Sequence, residues 1–144
     1  MSDVTNFLDV KVGEVKDPVV LSDGLYQYVI TGYKLDFENN ENRTPYVMAF
    51  LRPVEVVEGD KEQDLNAAKR MTHKFYRTEA ADQIASRFLV KTLGLDNKGG
   101  EAKFSELWEA AIGSEVLGVT KRKMGGKNKD RPFAEIERFF PVEA

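Results

Sequence analysis

The chain has 144 residues, 21 Lys/Arg against 24 Asp/Glu for a net charge of −3, 42% hydrophobic residues and no cysteine. That length suits one domain with its own core, and the missing cysteine excludes disulfides, thiolate-held zinc and thiol nucleophiles. No apolar run approaches the roughly 18–20 residues that span a bilayer. The opening Met1-Ser2-Asp3-Val4-Thr5-Asn6 lacks the basic and apolar regions of a secretion signal, so the expected compartment is the cytoplasm.

Residues 1–23 have weak periodicity and read as an N-terminal arm, with a short strand over Val10–Val15; residues 24–144 read as a single domain. Gly24 opens a run of β-type residues, Leu25–Phe37, which Gly32 interrupts as a bulge or bend does. If Gly32 marks a bulge, the facing flips there and brings Tyr33 to the side of Tyr26 and Tyr28. A polar turn, Glu38–Pro45, leads to a second strand at Tyr46–Val57, where Pro53 requires a free edge or a kink. Glu58–Ala68 is acidic and irregular. A third strand, Arg70–Arg77, alternates, with Met71, His73 and Phe75 on one face and Arg70, Thr72, Lys74 and Tyr76 on the other.

The period then changes. Thr78 caps a helix with Glu79 and Asp82 in its first turn, and Ala81, Ile84, Ala85, Phe88, Leu89 and Thr92 form an apolar stripe that Gly94 ends. A second helix starts at Ser105, carries Leu107, Trp108, Ala111 and Ile112, and stops at Gly113. Two strands follow, Glu115–Lys123 and Pro132–Phe140, joined by a Gly-Gly-Lys-Asn-Lys turn. Three strands, one or two helices and a final hairpin are the plan of an OB-fold: a mainly β, five-stranded Greek-key barrel with a helix between strands 3 and 4. An open α+β sandwich uses the same elements.

Charge is distributed unevenly over this plan. The segment 69–77 holds four Lys/Arg and no acid, and 121–131 holds six Lys/Arg and one acid, within an acidic chain. Concentrated cations on candidate strands point to an anionic partner, above all a nucleic acid backbone. Single strands are held by cations along the phosphates and by rings stacked on bases. Arg70, Lys74, Lys121, Arg122, Lys123, Lys127, Lys129 and Arg131 are the expected phosphate contacts, and Tyr26, Tyr28 and Tyr76 the expected stacking rings. Reversing the charge of Lys121, Arg122 and Lys123 is expected to weaken binding without unfolding the domain.

Catalytic chemistry is not expected. His73 is the only histidine and alternates in phase with Met71 and Phe75, as an inward or rim residue does. Zinc sites and Ser-His or Cys-His nucleophiles in their usual forms need partners the chain lacks. Gly125-Gly126-Lys127 has no following Ser/Thr and no helix, so it is not a phosphate loop. No cofactor or metal is expected.

From Gly24-Leu25-Tyr26 through Lys74-Phe75-Tyr76, Leu93-Gly94-Leu95, Phe104–Ile112, Gly113-Ser114-Glu115-Val116 and Phe133-Ala134-Glu135-Ile136, the chain resembles a family of small phage-encoded proteins. These lie among replication and recombination genes and are regarded as single-strand-binding OB-folds. The similarity covers about residues 24–140. It implies a non-enzymatic single-stranded-DNA-binding protein of phage DNA metabolism, acting in the host cytoplasm. The implied partners are single-stranded DNA and replication or recombination proteins, and the edge strand with Pro53 and the final hairpin invite association with further copies of the chain. Many single-strand-binding proteins carry a flexible acidic tail, whereas Phe139-Phe140-Pro141-Val142-Glu143-Ala144 follows the last strand almost directly, so recruitment through a tail is not expected unless the short Phe-Phe-Pro-Val end does that job. The alternatives are a protein-docking module, its basic hairpin meeting an acidic partner, and an RNA-binding module.

Overall fold

The computed structural model describes residues 19–39, 41–68, 70–125 and 128–142, without side chains at 128–131. The expected strand at Val10–Val15 lies outside them. Among the described residues, five strands form one antiparallel sheet: β1 (Gly24–Phe37), β2 (Pro45–Glu58), β3 (Met71–Tyr76), β4 (Glu115–Gly125) and β5 (Asn128–Phe140). Their order across the sheet is β3-β2-β1-β4-β5. Two helices, α1 (Glu79–Arg87) and α2 (Phe104–Ala111), lie between β3 and β4 in the chain. The fold is therefore mainly β and OB-like, as the element order implies.

The sheet is open between β3 and β5 among the described residues, and it coils until aromatic side chains bridge the gap. The ring of Phe139 on β5 lies 5.0 Å from that of His73 and 6.4 Å from that of Phe75, both on β3. The helices close the same opening from within. Phe88 stands 4.8 Å from Phe75 and 4.9 Å from Phe139, and Trp108 stands 5.1 Å from Phe75. Each buried ring of this size removes about 150–250 Å² from water, so the cluster is a main source of cohesion.

Strand irregularities produce the coiling. The β1–β2 register jumps between Ile30 and Gly32, leaving Thr31 as the extra residue. The facing flips there as the sequence implies, and Tyr33 packs 6.2 Å from Trp108 on the inner side. β3 pairs with Tyr46–Leu51 only, so Pro53 sits where the outer edge of β2 has no strand partner and costs no ladder bond.

Thr78 caps α1 by accepting from Ala81 N–H, and the helix continues into a π-helical turn, Phe88–Thr92. Ile84 is a correction to the expected stripe: it is 63% exposed, while Ala85, Phe88 and Leu89 are buried. Beyond α2, Gly113 N–H donates to Ile30 O, which ties the helix end to the middle of β1.

Leu21, in the stretch read as an arm, is a fully buried core residue. Its segment is held by Val19 N–H donating to Ala67 O and by Ser22 N–H donating to Gln63 Oε1, both at 2.9 Å.

Candidate nucleic-acid interface

Directly opposed residues of an antiparallel ladder point to the same face. The register over β1, β2 and β3 therefore builds three outward rows: Gly32–Phe50–Thr72, Lys34–Met48–Lys74 and Asp36–Tyr46–Tyr76. The alternate rows, such as Ile30–Leu51–Met71, supply the core.

The outer rows interleave rings and cations. The Arg70 guanidinium lies 3.9 Å from the centre of the Phe50 ring, and Lys74 Nζ lies 4.5 Å from the centre of the Tyr46 ring. Tyr76 is 38% exposed and meets Tyr46 edge-on at 6.0 Å. Gly32 contributes no side chain beside Phe50, which leaves that ring half-buried rather than covered. Arg52 is exposed on the same face, and neither it nor Arg70 forms an ion pair with another described residue.

The β1–β2 loop adds an acid. Glu38 Oε1 accepts from Lys74 Nζ at 2.6 Å and from Tyr76 OH at 3.0 Å. These two donors hold the Glu38 carboxyl below the usual carboxylate range, and the same contact raises Lys74 and Tyr76. Lys34 pairs with Asp36 at 3.3 Å.

At the other end of the face, Arg70 with Met71 and Thr72 of β3, Pro132–Ala134 of β5 and Val19–Leu21 line a cavity of about 140 Å³. The root of the β4–β5 hairpin thus stands beside the start of β3.

The expected site residues divide sharply. Arg70, Lys74 and Tyr76 share the outer face. Tyr26 and Tyr28 are corrected: both are 0% exposed and cannot stack on a base. Tyr28 OH is bonded to Thr120 Oγ1 at 2.6 Å, and burial pushes its phenol pKa up. Tyr26 OH donates to Ser22 O and accepts from Gln63 Nε2.

Arg122 is exposed but already engaged. Its guanidinium donates to Leu21 O and Val20 O, and its backbone N–H donates to Asp23 Oδ1, so it anchors the segment before β1. Lys123 lies between Glu135 and Glu137, at 2.5 and 3.1 Å, and its charge is locally matched. Lys121 is exposed with no ion pair to a described residue. Lys127 lies outside the described residues, as do the side chains of Lys129 and Arg131.

Tyr46, Met48, Phe50, Arg52, Lys34 and Glu38 were not singled out in the sequence. The available signal was β2 itself: Tyr46-Val47-Met48-Ala49-Phe50-Leu51 is apolar on both faces, which requires a second covered or contact-forming surface. No family model matches the chain, and no curated protein matches it.

Proposed function

We propose that this protein binds single-stranded DNA with little sequence preference, catalyses no reaction, and serves phage-type DNA replication or recombination. The observation that carries the reading is the outer face of β2 and β3, where Phe50, Tyr46 and Tyr76 alternate with Arg70, Arg52 and Lys74. In an OB-fold the strand 2–3 face and the loops joining strands 1–2 and 4–5 take oligonucleotides. Here that face is both aromatic and cationic. Phe50 and Tyr76 offer ring surface to bases, Arg70 and Arg52 take the phosphates, and Lys121 is a further exposed cation on β4.

Fluorescence anisotropy with a labelled oligo-dT of about 30 nucleotides, longer than the site of one such fold, tests the reading. Binding should weaken steeply with salt, with a log–log slope of about −0.7 for each phosphate neutralised. Arg52→Glu with Arg70→Glu should lower affinity and flatten that slope. Absence of binding at low salt contradicts the proposal, and equal or tighter binding of single-stranded RNA moves it to RNA.

One observation favours a second reading, a protein-docking module. Lys74, Arg77 and Lys123 already face carboxylates, and Arg122 faces backbone carbonyls. On that reading Met48 and Phe50 meet a protein surface, and a defined partner is captured while oligonucleotides do not bind at physiological salt.

A further inference from the structure

Resting on the single-strand reading, we propose that the Lys74 ammonium and the Tyr76 phenol form a subsite for one backbone phosphate, which the Glu38 carboxylate fills in the free protein. The two donors come from alternate residues on the outer side of β3 and converge on a single oxygen, Glu38 Oε1, at 2.6 and 3.0 Å. A carboxylate oxygen and an unesterified phosphate oxygen make the same demand on such donors: a negative acceptor within hydrogen-bond reach.

The donors also rest beside a ring that is separate from the carboxylate. Tyr46 lies 4.5 Å from the Lys74 ammonium and 6.0 Å from the Tyr76 ring, and it takes neither hydrogen bond. Glu38 arrives from the loop instead, one residue beyond β1, with its backbone N–H donating to Thr44 O at 2.9 Å. Lys74 and Glu38 keep side-chain exposures of 37% and 27%, so an incoming anion reaches the pair directly. The contact also raises both donors, so each carries its proton at neutral pH. Tyr76 contributes its hydroxyl to the phosphate here, beside the exposed ring surface it offers to a base.

An internal carboxylate makes the subsite selective. A free phosphate or mononucleotide must break the Lys74–Glu38 pair with nothing else to gain. A strand already held at Arg70 and Arg52 presents its next phosphate at high local concentration and displaces Glu38. Glu38 thus sets a threshold that a polymer crosses and a small anion does not.

The test is a double-mutant cycle: the wild type, Glu38→Gln, Lys74→Gln and the double variant, each titrated with labelled oligo-dT at low salt. Glu38→Gln should tighten binding about three- to tenfold when Lys74 is present, the size expected for releasing an exposed ion pair and one charged hydrogen bond. In the Lys74→Gln background the same change should alter affinity by less than about twofold. Unchanged affinity on Glu38→Gln, or equal tightening in both backgrounds, overturns the subsite, since the latter reports only a lost negative charge. Failure of all four proteins to bind overturns the single-strand reading on which it rests. Unchanged melting temperatures establish that the variants are folded.

Discussion

Tyr28 and Phe50 sit on adjacent strands, and the pleat sends one ring into the core and the other outward. Tyr28→Phe removes the 2.6 Å bond to Thr120 and leaves a buried hydroxyl with only the 3.4 Å contact to Gly118 O. We expect a loss of about 1–2 kcal/mol in stability by denaturant melting and unchanged oligonucleotide affinity. Phe50→Ala should do the reverse, weakening binding by about 1–3 kcal/mol with little change in melting. His73 gives a pH signature. Its ring lies between Phe75 and Phe139, and burial lowers its pKa below 6.5 against the opposing charge of Glu135. Below about 6.5 the unfolded chain then binds a proton that the folded protein resists, so stability falls as pH drops through this window. The melting temperature should decrease from about pH 7 to 5.5, and His73→Leu should flatten that stretch of the curve. Residue type alone did not separate the tyrosines. Tyr26, Tyr28 and Tyr76 are chemically alike, and only strand register and the bulge at Thr31 determine which reaches solvent.

β4 and the segment before β1 show how strongly packing constrains one element against another. A Cβ at Gly118 would lie 2.9 Å from the Tyr28 ring and 3.0 Å from Ile136, so glycine here is the space that Tyr28 occupies. Gly118→Ala should cost about 1–3 kcal/mol through overpacking, read as a shift in denaturant midpoint. Arg122 holds the neighbouring segment through its carbonyls. Arg122→Met keeps an apolar stem but removes those bonds, and it should reduce hydrogen-exchange protection at Val19, whose N–H donates to Ala67 O. Charge reversal at 121–123 is therefore not a clean binding test; only Lys121 can be reversed without disturbing such contacts. The sequence revealed these elements because their patterns differ: β1 and β2 are runs of β-type residues, β3 alternates, α1 has a cap and a glycine stop, and Gly32 marks the bulge. It did not reveal the π-helical turn at Phe88–Thr92 or the exposure of Ile84, because both depend on how α1 meets the sheet. The partners of Arg122 and Lys123 were equally hidden, since a basic run does not state what lies across the strand.

Taken as a molecule, the protein is an open, coiled sheet whose inner face is filled by α1, α2 and an aromatic cluster. Its outer face over β2 and β3 remains bare. The strand order and helix placement followed from the succession of elements, so the overall fold was largely legible. The candidate site was only partly so: Arg70, Lys74 and Tyr76 could be read from β3, whereas Phe50, Arg52 and Glu38 required the register that brings β2 and the β1–β2 loop beside it. Net charge also misleads at this scale, because a chain of −3 overall can present a locally cationic face. The most direct measurement is a two-dimensional amide NMR titration of the labelled protein with unlabelled oligo-dT at low salt. Shifts should concentrate at residues 46–52 and 70–76 and at Lys121, leaving α2 and the inner residues of β1 largely unmoved. Saturating oligonucleotide with no shifts on β2 and β3, or with shifts centred on the helices, would contradict the assignment of this face.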